Sequence, residues 1–361
     1  MADGFAPLTF TAEVEAQTAP VWDKVKSHVT PLEWQIHAPL IARINRLKRE
    51  KNAVILAHNY MTPEIFHGVG DYVGDSLGLA REAARSDAKI IVQAGVHFMA
   101  ETSKVLCPDK TVLIPDLRAG CSLASSITGA DVRLIKQRFP GLPVVTYVNT
   151  TADVKAETDI CCTSANAVQV VEWAAKEWGV DRVILIPDEF LARNVAAQTD
   201  IRIIAWQGRC EVHERFNAQD VADMREAYPG AQILAHPECP EEVLAVADFA
   251  GSTAAMNDWV VQKKPRQVVL ITECSMASNV QAQAPDTQFI GPCNMCPHMK
   301  QISLLNILDA LEKEQFEVTV DPVLAGRARL AVQRMIDLPP PAAPARYDLV
   351  KAQHHVAVEL I

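Results

Sequence analysis

No run of apolar residues in this 361-residue chain approaches the roughly 20 that a membrane span needs. The N-terminal stretch MADGFAPLTFTAEVEAQ has no basic segment followed by an apolar core, so no secretory signal is read there. The expected compartment is the cytoplasm. Positive charge is also short: 34 Lys and Arg stand against 44 Asp and Glu, a net charge of −10. That argues against broad electrostatic binding of nucleic acid or of an anionic membrane. It leaves room for an anionic substrate in a locally positive pocket. Cysteine, by contrast, is plentiful, with nine residues. In a reducing compartment such a count points to metal or catalysis before disulfides. The length suggests two or three domains.

A threefold repeat organises the middle of the chain. The runs VILAHNY at 54–60, VVTYVNT at 144–150 and QILAHPE at 232–238 are strand-like and end in polar residues. His58, Tyr147 and His236 fall at equivalent places, 89 residues apart (147 − 58 and 236 − 147). Ser76, Ser164 and Ser252 follow, 88 residues apart, each before a helical stretch. Serine is a strong N-cap, and three equivalent helix N-termini would suit carboxylate or phosphate. A further apolar strand and helix come next (KIIVQAG, RVILIPD and QVVLITE), then a short strand leading into a cysteine-bearing turn. Continuous apolar strands alternating with helices indicate parallel sheets covered on both faces. The expected fold is therefore α/β, with three pseudo-equivalent α/β/α domains whose short parallel sheets surround a central site. Ligands sit at the carboxyl ends of such strands, where all the marked residues lie. The expected units are a helical extension at 1–49, α/β/α units at 50–128, 129–218 and 219–320, and a C-terminal helix and tail at 321–361. LPPPAAPA at 338–345 reads as a stiff linker, and the tail beyond it as a segment that docks on the body or on a partner.

Three cysteines follow the repeat: Cys121, Cys210 and Cys296, separated by 89 and 86 residues. Three converging thiolates make a soft-metal site, and three protein ligands leave one position open for chemistry. A single zinc with a bound water fits, and so does a 4Fe–4S cluster with one free iron. Cys293 and Cys296 form a lone CxxC, leaving Cys293 either to form a disulfide with Cys296 or to tune the metal site. Cys161 and Cys162 read as packing residues. Cys107, Cys239 and Cys274 have no repeat equivalents.

Taken together, AHNYMTPEIFHGVGDYVGDSLGLA, VQAGVHFMAET, PDLRAGCSLA, YVNTTADVKAETDICCTSANA, WQGRCEVHERF, AHPEC, GSTAAM and CPHMK resemble the quinolinate synthase (A) family from about residue 50 to 315. The resemblance implies a transferase of NAD (pyridine nucleotide) biosynthesis. It would condense iminoaspartate with dihydroxyacetone phosphate to quinolinate, releasing phosphate and water. It implies one 4Fe–4S cluster per chain on Cys121, Cys210 and Cys296. Some members carry CxxCxxC where this chain has CNMC, so no role of that third cysteine transfers. His58 and Tyr60 match HNY, Tyr147 and Asn149 match YxN, and His236 and Glu238 match HPE. Ser76 matches the family's first helix-capping serine, Ser164 its TS, and Ser252 and Thr253 its GST. His213 matches the histidine after the second cysteine, and Met299 and Lys300 the MK after the last.

Tyr60, His58, His236 and Glu238 are the expected proton-transfer residues, since His and Glu serve as acid or base once tuned. The expected substrate-binding set is His58, Ser76, Tyr147, Asn149, Ser164, His236, Glu238, Ser252 and Thr253. The free iron is expected to polarise oxygen rather than transfer electrons. Expected partners are the iron–sulfur assembly machinery and an aspartate-oxidising enzyme that hands over unstable iminoaspartate. No nucleic acid or membrane partner is expected. Three rival readings remain at this point: a zinc enzyme, a cluster carrier or redox sensor, and a ligand-binding protein without chemistry.

Overall fold

The computed structural model describes residues 8–339, 347 and 358–361. Its strands are β1 (Ala53–His58), β2 (Tyr72–Gly74), β3 (Ile90–Ala94), β4 (Thr111–Leu113), β5 (Val144–Tyr147), β6 (Ile160–Cys162), β7 (Arg182–Ile186), β8 (Arg202–Ala205), β9 (Gln232–Ala235), β10 (Phe249–Ala250), β11 (Gln267–Ile271), β12 (Gln288–Ile290) and β13 (Val358–Leu360). They form three sheets, ordered β2-β1-β3-β4, β6-β5-β7-β8-β13 and β10-β9-β11-β12. Every strand pairing within them is parallel. The central strands β1, β3, β5, β7, β9 and β11 are largely buried, as sheets with helices on their faces require. The mixed α/β fold with three similar parallel sheets is the one the repeat indicates.

Sequence periodicity finds three strands per unit, but each sheet has a fourth, because β2, β6 and β10 span only two or three residues. An aspartate starts each one. Asp71, Asp159 and Asp248 accept the backbone N–H of Ile55, Val144 and Ile233 at 2.8 Å, and return their own N–H to the same residue's carbonyl. This two-bond hook stitches a strand too short to show any hydrophobic alternation. It also fixes where the following serine emerges.

The serines then part company. Ser252 caps the helix Thr253–Lys263, with its hydroxyl accepting the Ala255 N–H. Ser76 is instead the first helical residue of Ser76–Arg85, and Asp75 is the cap. Ser164 lies in the turn before Ala167–Trp178, where Asn166 is the cap position. Three equivalent serine caps are therefore not what the fold builds. The order in which strand, serine and helix follow one another is kept, while the capping atom differs with each local turn.

The N-terminal extension forms helices Ala12–Val25 and Pro31–Lys51, the second started by a Thr30–Glu33 capping box. Pro31–Lys51 buries Trp34, Ile41, Ile44 and Leu47 and packs on β1. The helix Leu304–Lys313 packs against Pro31–Lys51 and β3, on the first sheet rather than the third that precedes it in the chain. The helix Pro322–Asp337 lies on Ala152–Ala156 and β6. The described residues of the tail dock on the body: β13 adds a fifth strand beside β8, and Tyr347 is buried. Most of the expected linker, from residue 340, lies outside the described residues.

Candidate active site

The carboxyl ends of the three sheets face one cavity of about 730 Å³, open solvent at its mouth included. The first sheet's edge contributes His58, Tyr60, Ser76 and Cys121, the second Tyr147, Asn149, Ser164 and Cys210, and the third His236, Glu238, Thr253 and Cys296. Ser252 stays out of the lining; as a cap it points its hydroxyl along its own helix. Lys300 is also outside the lining, donating to the Tyr60 carbonyl and paired with the buried Glu273 at 2.8 Å.

The three cysteines sit in the same turn three times. The N–H of the residue four places on bonds the carbonyl of Cys121, Cys210 and Cys296 at 2.9 to 3.1 Å. Each sulfur also accepts backbone N–H groups from the second and third residues after it: Leu123 and Ala124, Val212 and His213, His298 and Met299. Such N–H groups stabilise a thiolate. Against them, burial pushes the Cys121 thiol up to about 12 and raises Cys210 and Cys296 as well. Charge on Cys296 raises Cys121, and charge on Cys121 raises Cys210, so Cys121 stands within electrostatic reach of both other sulfurs. Three half-buried thiols with prepared N–H donors fit a soft metal that replaces their protons. Among the described residues, the group whose potential ligand atoms lie within 4.8 Å of one another is Cys210, His213 and Glu238.

Cys293 is not bonded to Cys296. It forms a disulfide with Cys274, at the start of the helix Ser275–Gln281, because the parallel approach of residues 273 and 294 brings that pair together. Cys161 and Cys162 are fully buried in β6, as packing residues should be.

Beside the cysteines lies a buried polar chain. The Tyr147 hydroxyl donates to Glu238 Oε1, and Asn149 Nδ2 donates to the same oxygen at 3.4 Å. His213 Nδ1 is 2.7 Å from Glu238 Oε2. Burial pushes the Glu238 carboxyl up, but His213, His236 and the Tyr147 hydroxyl together hold it below the usual carboxylate range. An ionised Glu238 only accepts, so His213 must donate from Nδ1. Its Nε2 then accepts from the Thr272 hydroxyl at 2.9 Å, and Thr272 Oγ1 accepts from the Tyr60 hydroxyl at 2.6 Å. Tyr60, Thr272, His213 and Glu238 thus form one directed chain of hydrogen bonds. Burial, and then the Glu238 charge, raise the Tyr60 pKa well above normal.

The two strand-end histidines share a tautomer. His58 Nδ1 accepts the Tyr60 N–H at 3.2 Å, and His236 Nδ1 accepts the Glu238 N–H at 3.3 Å. The proton of each neutral ring therefore sits on Nε2, and His236 Nε2 meets Ser164 Oγ at 3.3 Å. Burial lowers His58 to about 4 and His236 to about 3, so both are neutral donors at pH 7. Among the described residues, no Lys or Arg lines the cavity.

Sequence reading from the repeat missed Thr272. It stands where the other sheets have Gly95 and Pro187, so the repeat carried no signal. Asp75, Glu211 and His298 were also unmarked, although all three line the cavity. Their adjacency to Ser76, Cys210 and Cys296 was the available clue.

The model of the quinolinate synthetase A protein family matches residues 42–337. This chain belongs to the quinolinate synthetase A family. It is 80% identical to the quinolinate synthase of Caulobacter vibrioides (strain NA1000 / CB15N) over the whole of both chains. It is 61% identical to quinolinate synthase 2 of Mesorhizobium japonicum, covering 90% of this chain and 98% of that one. The quinolinate synthase of Xylella fastidiosa is 62% identical, covering 82% and 86%. Among the described residues, no helix is long and apolar enough to cross a membrane.

Proposed function

We propose that this chain is a quinolinate synthase that condenses iminoaspartate with dihydroxyacetone phosphate, releasing phosphate and water. The observation that carries the reading is the meeting of three N–H-lined cysteine turns and the Tyr60–Glu238 chain of hydrogen bonds on one cavity. Family membership supports the same reaction.

Cys121, Cys210 and Cys296 would hold a 4Fe–4S cluster. A single ion needs all its ligands about 2.3 Å from one point, whereas the close group here includes only one of the three cysteines. When bound, the cluster would supply an open Lewis-acidic iron.

The remaining roles fall to side chains and backbone. The substrates carry two carboxylates and a phosphate, and the lining has no cation among the described residues. Neutral donors must hold these anions: the Nε2–H groups of His58 and His236, the Asn149 amide, and the hydroxyls of Ser76, Ser164 and Thr253. The N-termini of Ser76–Arg85 and Thr253–Lys263 add their dipoles. Tyr60 can take a substrate proton while passing its own through Thr272 to His213. Glu238 then stabilises the imidazolium, and the reverse path returns the proton to a leaving hydroxide.

The test is anaerobic purification with iron, sulfide and zinc analysis, followed by assay of quinolinate formation. The expected result is about four irons and four sulfides per chain, loss of the cluster in Cys121→Ser, Cys210→Ser and Cys296→Ser, and turnover in the unaltered protein. Full cluster in all three variants, or a zinc-only protein that turns over, would sink the reading.

A further inference from the structure

The polar residues two places beyond His58, Tyr147 and His236 are Tyr60, Asn149 and Glu238, and all three line the cavity. The peptide carbonyls on either side of each one converge on a single buried nitrogen. Asn279 Nδ2 donates to the carbonyls of Asn59 and Met61 at 3.0 and 2.7 Å. Asn194 Nδ2 donates to those of Pro237 and Cys239 at 2.8 and 3.0 Å. Lys155 Nζ donates to those of Val148, at 2.8 Å, and Thr150. All three donor side chains are buried.

The two asparagines are repeat equivalents. Ile186 pairs with Thr146, and Ile271 with Ala235, each just before Tyr147 or His236. Asn194 and Asn279 each lie eight residues beyond that paired isoleucine. Both reach out of their own α/β unit: Asn194 from the second to a loop of the third, Asn279 from the third to a loop of the first. In the first unit the same position is Thr102, whose hydroxyl bonds Phe98 O within its own helix. It leaves the second unit's loop without an amide from its neighbour. Lys155, from that second unit, fills the gap, with its ammonium 5.5 Å from the Phe98 ring. An amide NH₂ has two hydrogens, and the two carbonyls use both. Among the described residues, the side-chain oxygens of Asn194 and Asn279 have no hydrogen-bond partner, so donation is what these amides do.

We propose that Asn194, Asn279 and Lys155 are positioning residues: three carbonyl clamps that set the backbone under Glu238, Tyr60 and Asn149. Two of the clamps also tie that setting to the contact between neighbouring units. The inference rests on the cavity being the quinolinate-forming site, and a readout independent of turnover separates the two claims.

The experiment compares the cluster-loaded protein with Asn279→Ala, Asn194→Ala, Lys155→Met and Lys155→Gln. Backbone hydrogen exchange is followed in peptides covering 58–62, 147–151 and 236–240, alongside kcat, KM and iron and sulfide content. Asn279→Ala should speed exchange in 58–62 alone, Asn194→Ala in 236–240 alone, and Lys155→Met in 147–151 alone. In each, kcat should fall by about 10- to 100-fold, as small misplacements do, with KM within about threefold and full cluster content. Lys155→Gln keeps an NH₂ that donates twice and should restore most of the rate. If an alanine variant fails to fold, the serine variant at that position carries the same measurement. Exchange unchanged in the clamped loop, or raised equally in all three, overturns the proposal, as does a Lys155→Gln enzyme no better than Lys155→Met. If the unaltered chain makes no quinolinate, the exchange pattern still decides the clamps.

Discussion

Glu238 stays charged inside the protein because it never faces the interior alone. A buried carboxylate without partners would take up a proton, but here Tyr147, Asn149 and His213 all meet it. Its charge sets the direction of the hydrogen bonds out to Tyr60, and Thr272 is the middle of that path. Thr272→Val keeps the shape and removes the hydroxyl. It should lower kcat about 100-fold, with the metal content of the protein unchanged, while Thr272→Ser recovers much of the loss. A valine variant within twofold of normal would refute the path. The histidines make a second prediction. The folded pKa of His58 is about 4, below the ordinary 6.5 of an unfolded chain. Below pH 6.5 the unfolded state therefore binds more protons, and stability is lost as pH falls from about 6.5 to 4. At pH 5 the loss should be about 2 kcal/mol for this residue, with His236 adding a similar amount. Urea midpoints between pH 7 and pH 5 test this. The decline should be shallower in His58→Gln combined with His236→Gln, and an equal decline would refute the assignment.

At the scale of elements, the turns between strand and helix position the cavity residues. Gly208 lies just before Cys210, where the loop after β8 passes close to residue 187. A Cβ there would stand 2.4 Å from the Pro187 carbonyl oxygen and 2.6 Å from Ser126 Oγ. The carbonyl is backbone and cannot swing aside. Gly208→Ala should therefore move the loop, costing roughly 1–3 kcal/mol, and lower the iron bound per chain. A normal melting temperature with full iron would show that the loop has slack. The missed strands β2, β6 and β10 teach the same lesson. Each is tied to its neighbour by the Asp71, Asp159 or Asp248 hook, and none is long enough to show an apolar pattern.

At the scale of the whole molecule, distant segments close the structure. Tyr347 donates its hydroxyl to the Ser164 carbonyl at 2.8 Å and its N–H to the Ala250 carbonyl at 3.1 Å. It thus joins the second and third units directly behind a cavity residue. β13 covers the edge of β8, an edge that would otherwise present unpaired N–H and C=O groups. Ending the chain after Leu338 removes both features. The melting temperature should fall by several degrees, and exchange in β8 should quicken. Tyr347→Phe alone should cost about 1 kcal/mol. A truncated protein as stable as the whole would mean that the tail contributes nothing to closure.

The sequence by itself determined the periodic parts: the long strands and the helices that follow them, the spacing of His58, Tyr147 and His236, and the recurrence of Cys121, Cys210 and Cys296. Those features repeat because each unit must bury the same kind of sheet, and burial leaves a pattern in composition. Tertiary structure decided what depends on contacts across the chain. It took Cys293 to Cys274, turned Ser252 away from the cavity, placed Thr272 between Tyr60 and His213, and set Asn194 and Asn279 under loops of other units. A hydrogen bond between residues more than 200 positions apart, such as that from Asn279 to Asn59, leaves no periodicity to read. It exists only once the sheets have brought their edges together.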